Sequence, residues 1–241
     1  MATILALDTS ATPVSCALLK DGKVLGSCYS HTGQTHSQTL LPMVEQMLNT
    51  ANVSTSSLDA VAVNVGPGSF TGVRIGVATV KGLAFAVDIP CISVSTLESM
   101  AESFAGLPGN FVICCVMDAR CEQVYTASFQ LNNGVVTRLT EDEAISIADL
   151  EIKLKKIENF IILVGDGAEL CYNKLNDSVD KLFLAPISLR YQNAIGTALV
   201  AERQLIAGNT ISAAALLPTY LRLPQAEREL RRRQAQESDN G

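Results

Sequence analysis

Tryptophan is absent from the 241 residues, histidine occurs twice, and aromatic side chains make up only 5% of the chain. Positive charge is short as well: 18 Lys and Arg stand against 24 Asp and Glu, a net charge of −6 at pH 7. Gripping phosphates unaided takes clustered Lys and Arg, so any nucleic-acid role runs through a partner. The one basic cluster, "RELRRRQ" from Arg228 to Gln234, falls in the polar stretch 226–241, which reads as a flexible, solvated tail.

Metal and redox motifs are missing too. The seven cysteines form no Cys-x-x-Cys pair, and the adjacent Cys114 and Cys115 sit in an apolar run where neighbours point to opposite faces. They read as reduced, mostly buried thiols of a cytoplasmic protein. His31 and His36 would stand about 140° apart on a helix, too far round to share an ion. No metal site is expected, and no nucleophile–base pair for a peptidase can be assembled. The opening run "MATILALDTS" meets Asp8 too early to be a signal or a membrane span, and no other span is expected to be long enough.

The chain is 48% hydrophobic, ample for a sizeable core, and its apolar segments come in two similar halves. In the first half, "TILALDTS" reads as a buried strand ending at Asp8 and "PVSCALLKDGKVLGSCYS" as a hairpin turning at Asp21-Gly22. "SQTLLPMVEQMLNTA" reads as a helix with Leu40, Leu41, Val44, Met47 and Leu48 on one face. "LDAVAVNV" is a strand, Thr71 to Val87 a helix and "PCISVS" a strand. The second half repeats the order. "FVICCVMDAR" is a strand ending at Asp118, "EQVYTASFQLNNGVVTRL" a hairpin turning at Asn133-Gly134, "SIADLEIKLKKI" a helix capped by Ser146, and "FIILV" a strand. Each half ends its fourth strand in Gly-x-Gly: Gly66 and Gly68, then Gly165 and Gly167. The pattern predicts two α/β lobes of duplicated βββαβα type, residues 1–108 and 109–225, flanking a cleft.

The cleft is where strand-end carboxylates and glycine turns would meet a small molecule. Asp8, Thr9, Ser10 and Asp118 are candidates for holding magnesium-bound phosphates, with turn-capping as the competing role of the two aspartates. The loop "NVGPGSFTGVRIG" lacks Gly-Lys-Ser/Thr, and its glycines miss the dinucleotide spacing by one residue. After Asp118 come Ala119 and Arg120, where a phosphate-gripping hairpin would want glycine. The helix that follows the loop carries only Arg74 and Lys81 as charges and is otherwise apolar or small, so it is expected to be buried on more than one side. Its Gly72, Gly76, Ala78, Gly82, Ala84 and Ala86 would let another helix approach closely.

"LALDTS", "VGPGSFTGVRIG", "MDARCEQVY" and "LLPTYLRLPQAERE" together resemble the TsaB (YeaZ) family of bacteria, over essentially the whole chain to about Glu229. The resemblance implies the fold of actin-like ATPases and sugar kinases. It implies a non-catalytic subunit in the synthesis of threonylcarbamoyladenosine beside the transfer-RNA anticodon. The catalytic partner would be a TsaD-like subunit, with a TsaE-like ATPase and only indirect contact with the RNA. TsaD-like proteins bear a His-x-x-x-His metal pair, whereas here His36 stands with Thr32 and Leu40 at the neighbouring turns. Docking on TsaD, or homodimerisation, would use the first-lobe helices; the candidate interface residues are Leu41, Val44, Leu48, Arg74, Val77, Ala78, Lys81 and Ala84. No cofactor is required on this reading. Weak ATP or ADP binding is expected at most, in a vestigial cleft of Asp8, Thr9, Ser10, Asp118, Gly165 and Gly167. The alternative is a stand-alone ATP-dependent kinase using Asp8 and Asp118.

Overall fold

The computed structural model describes residues 2–222. The stretch 226–241, with Arg228 to Gln234, therefore lies outside the described residues.

The first sheet consists of β1 (Thr3–Asp8), β2 (Val14–Lys20), β3 (Lys23–Ser30), β4 (Ala60–Gly66) and β5 (Cys91–Ser95), in the order β3-β2-β1-β4-β5. The hairpin strands β1, β2 and β3 are antiparallel, while β4 joins β1 and β5 joins β4 in parallel. The second sheet is built the same way from β6 (Asn110–Asp118), β7 (Gln123–Asn132), β8 (Val135–Arg138), β10 (Ile161–Val164) and β11 (Leu182–Leu184), ordered β11-β10-β6-β7-β8. A short strand, β9 (Glu143–Ser146), adds to β7. The duplication read from the sequence is thus a duplication of topology.

Near-continuous apolar strands put one set of side chains on each sheet face. In the first sheet Leu5, Leu7, Cys16, Leu18, Val61 and Val63 point toward α1 (His36–Ala51) and α2 (Phe70–Val87). Ile4, Ala6, Ala17, Leu19, Ala60 and Ala62 point the other way. In the second sheet Cys114 packs with α4 (Ile147–Leu154) and α5 (Ala168–Leu175), while Cys115 faces α3 (Thr96–Glu102), so the adjacent cysteines do point to opposite faces. Ser146 caps α4 by accepting the Asp149 N–H.

The helix between the lobes and the helix near the end of the chain are exchanged. α3 follows the first sheet but it and the turn after it bury Leu97, Met100 and Phe104 against Ile113, Cys115 and Phe129 of the second. After α6 (Ile187–Arg190) the chain returns, and α7 (Ala194–Ile206) lies across the first sheet, its Ala194, Ala198 and Ala201 against Ala6, Ala17 and Ala62. The span 109–225 therefore contains residues that build the first core, down to the buried Leu216. Nothing in the local periodicity of α7 distinguishes the sheet it will cover. Gly196 brings α7 onto α3 so closely that a Cβ there would overlap the Ser99 carbonyl oxygen. Ion pairs join the same elements, with Glu98 and Glu102 of α3 accepting from Arg203 of α7, and Glu98 accepts from Arg138 of β8 as well.

By length and composition α2 could cross a membrane, which the sequence reading had excluded for every segment. In the fold it buries Val73, Val77, Val80 and Ala84 against the first sheet.

Candidate functional site

Two features stand out: the cleft between the lobes and the outward faces of α1 and α2. The cleft is a cavity of about 560 Å³ lined from the first lobe by Ser10, His36 and Gly68 and from the second by Asp118, Arg120 and Asp166. The parallel strands β1, β4, β6 and β10 all end at this cavity or at the loops that line it, which places both Gly-x-Gly turns there.

The glycines serve the chain itself. Gly66 and Gly165 have φ of 126° and 112°, a region disfavoured for residues with a Cβ, and each starts the turn out of its lobe's fourth strand. A Cβ at Gly68 would overlap the Ser10 carbonyl, and one at Gly165 would overlap that of Val116. Each loop is in this way pressed onto the exit of its own lobe's first strand. Four of the loop amides are turned inward. Ser69 N–H donates to Ser10 O at 2.6 Å, Gly72 N–H to Ser69 Oγ at 3.2 Å, Gly165 N–H to Arg190 O at 2.6 Å and Gly167 N–H to Val116 O at 3.2 Å. Thr9 adds its hydroxyl to the Gly72 carbonyl at 2.7 Å.

The two aspartates act alike. Asp8 Oδ1 accepts the Ser10 N–H at 2.9 Å and the Ser10 hydroxyl at 2.6 Å; Asp118 Oδ1 accepts the Arg120 N–H at 2.8 Å. Both are side chains bonding two residues on, the turn-capping arrangement. Asp8 is 1% exposed and its Oδ2 has no partner. Burial pushes its carboxyl up, against the lowering effect of the Ser10 bonds. Asp118 is paired with Arg120 at 3.2 Å. The turn after it runs through Arg120, Cys121 and Glu122 at φ of 64°, 54° and 58°, three left-handed residues with side chains where a phosphate grip would use bare backbone.

The sequence reading passed over Asp166, between Gly165 and Gly167 in the Gly-Asp-Gly turn. Burial, and to a lesser degree the charge of Asp118, raises its pKa, while Gln192 donates to Oδ1 at 3.1 Å. Among the described residues no group of three or more His, Cys, Asp or Glu is arranged to hold a metal. His36 opens α1 and meets the Thr12 carbonyl at 3.2 Å, whereas His31 lies outside the helix, edge-on to Tyr191.

The raised pKa of Asp8 gives a signed prediction. The folded chain keeps its proton at a pH where the unfolded chain has released it, so stability falls as pH rises from the unfolded value through the folded one. Asp8→Asn, which preserves an acceptor for Ser10, is expected to abolish that component. The difference in urea stability between variant and parent should grow in the variant's favour from about pH 4 upward. A difference that is flat with pH would contradict it.

The helix faces need several corrections. Val44, Leu48, Val77 and Ala84, expected at an interface, are buried in the first core. Arg74 and Lys81 are occupied within the chain: Arg74 Nε donates to the Tyr220 hydroxyl at 2.8 Å, and Lys81 Nζ to the carbonyls of Ala214 and Leu216 at 3.2 and 3.1 Å. Gly72 and Gly76 face Thr9 and leave no groove for a second helix. Leu41 lies off the buried stripe of α1 and is 51% exposed. What remains outward on α2 is Thr71, Ala78, Gly82, Phe85 and Ala86, with Phe85 84% exposed and open space beside Gly82. A nearly all-apolar helix carries no pattern that separates inner from outer face, which is why Phe85 was missed.

Comparison with known proteins agrees with this architecture. Residues 29–228 match the family described as TsaD, tRNA N6-adenosine threonylcarbamoyltransferase. The chain is 32% identical over 226 residues to the tRNA threonylcarbamoyladenosine biosynthesis protein TsaB of Bacillus subtilis, covering 93% of this chain and 96% of that one. The solved structure of YeaZ from Pseudomonas aeruginosa superposes with a TM-score of 0.75 at 31% identity, covering 92% of this chain and all of the other. An inorganic polyphosphate/ATP-glucomannokinase from Arthrobacter shares the fold alone, with a TM-score of 0.50 at 13% identity over 85% of this chain and all of that one. With a duplicated actin-like and sugar-kinase fold and matches of this extent, the chain belongs to the TsaB (YeaZ) family.

Proposed function

We propose that this protein is a non-catalytic activating subunit in the synthesis of threonylcarbamoyladenosine in transfer RNA. On this reading it docks a TsaD-like catalytic subunit through the outward faces of α1 and α2, works together with a TsaE-like ATPase, and meets the RNA only through these partners. The same faces serve for self-association. The observation that carries the proposal is the outer surface of α2, where Ala78, Gly82, Phe85 and Ala86 are all exposed and none is charged. An exposed phenylalanine among small residues suits a docking anchor: the ring fills a partner pocket and its small neighbours admit a close backbone.

The cleft supports the non-catalytic part. Four of its loop amides bond inward and its aspartates cap their own turns; on this reading no cofactor is required. The competing reading, a stand-alone kinase, has in its favour the cavity and the acidic pair Asp118 and Asp166. ATP hydrolysis by the isolated chain that disappears in Asp8→Asn and Asp118→Asn would establish it instead.

Phe85→Glu and Ala78→Arg are expected to abolish co-purification with the TsaD-like subunit and leave a chain that melts within about 2 °C of the parent, as exposed substitutions do. Retained association in both variants would overturn the docking surface. Reconstituted modification at the same rate without this chain would overturn the activating role.

A further inference from the structure

The motif "LLPTYLRLPQ" has no part in the proposal above, yet its described residues touch both lobes beside the cleft. Beyond α7 the chain pairs Ile211 with Cys91 at the outer strand of the first sheet and sinks Leu216 into the first core. Thr219 N–H then donates to Val65 O at 2.7 Å, and its carbonyl occupies the space that a Cβ on Gly66 would fill. Tyr220 stacks on Phe70 with ring centroids 4.9 Å apart. The Arg74 guanidinium lies 3.8 Å from the Phe70 centroid and donates to the Tyr220 hydroxyl. Two residues later Arg222 Nη1 reaches the second lobe and donates to the Ala119 carbonyl at 2.8 Å.

We infer that Thr219–Arg222 is an interlobe latch, which ties the glycine loop on one wall of the cleft to the left-handed turn Arg120–Glu122 on the other and is itself clamped to α2 by Arg74. Three observations converge on this. The strap is bonded to the end of β4, just before the glycine loop that lines the cavity, and to Ala119 on the second lobe's side of it. Its hold on the loop needs the missing side chain of Gly66, so the two fit as a built pair. The turn it holds carries three residues in a disfavoured backbone region, which persist only where surrounding contacts over-determine them. Arg222 supplies one such contact from the opposite lobe. Because Arg74 sits on α2, any molecule that engages that face of α2 and any that enters the cleft would act on one element, and their effects must then be reciprocal.

Hydrogen exchange on the full chain tests this. A charge-assisted hydrogen bond of this kind holds amides closed by about tenfold or more, so Arg222→Ala should speed exchange of the turn amides at residues 119–123 by about that factor. Tyr220→Ala, which frees the clamp on the other lobe, should raise exchange in the same turn and in residues 66–72 together. Cys121, exposed within the turn, reports independently: its labelling rate with a thiol reagent should rise in both variants. Leu217→Ala, at an exposed strap position, should leave all three readouts unchanged. Faster exchange confined to residues 217–222 in both variants, with the turn and Cys121 as in the parent, would overturn the latch.

Discussion

Replacing Gly196 by valine is expected to destabilise the protein by about 3 kcal/mol or more, among the larger effects available to a single substitution. The side chain has nowhere to go. A Cβ at that position would overlap the Ser99 carbonyl and crowd the Ser103 hydroxyl, both belonging to α3 or its end, so relief requires α7 to lift away from α3. Lifting would also disturb the buried hydroxyl bridge, in which Thr197 donates to Asn64 at 3.1 Å and meets Ser99 at 2.9 Å, and the ion pairs from Arg203 to Glu98 and Glu102. Since α3 belongs to the second core and α7 covers the first sheet, both lobes lose a layer together. At roughly 2–4 °C per kcal/mol for a chain of this size, the melting temperature should fall on the order of 10 °C in a single transition. Gly82→Ala is the control: nothing lies within 4 Å of a Cβ there, so it should be neutral or slightly stabilising. A Gly196→Val variant that melts with the parent would refute the exchanged-helix weld.

Val77→Glu should be equally damaging, and for a reason that bears on how the docking face is tested. Val77 is 4% exposed among Leu5, Val63, Val73 and other members of the first core, an apolar setting for a carboxylate. Burying an unpaired charge, or forcing it to take up a proton, costs about 3–5 kcal/mol. The variant should lose association with any partner of α2 because the first lobe is lost, visible as a collapsed urea midpoint before any binding assay. Phe85→Glu, two turns further on and outward, should lose association with its midpoint unchanged. If Val77→Glu kept the parental midpoint, the assignment of inner and outer faces on α2 would be wrong.

Much of the architecture was legible in the residues. Two strand-ending aspartates, two hairpins turning at Asp21-Gly22 and Asn133-Gly134, and two Gly-x-Gly turns predict a repeated unit, and the two sheets have the same strand order. The hairpin residues needed φ above zero and were of types that tolerate it, so local chemistry sufficed. The inward bonding of the cleft amides was only half legible. Spacing excluded the known phosphate motifs, but where the N–H groups point depends on Ser10, Val116 and Arg190, far away in the chain.

Periodicity and turn chemistry act over a few residues, and by themselves they determined most of the strands, the hairpins, the helices α1, α2 and α4, and the twofold repeat. Which sheet α7 covers, which side of α2 is outward, and what Arg74 and Lys81 bind were decided only in the folded molecule. α7 is apolar and small enough to pack on either sheet, and α2 is apolar nearly all round, so neither carries a local preference. The choice rests on long-range fit: alanines against the alanines of β1, β2 and β4, Gly196 against α3, and a returning strap that bonds to the two charges of α2 and leaves Phe85 in the open.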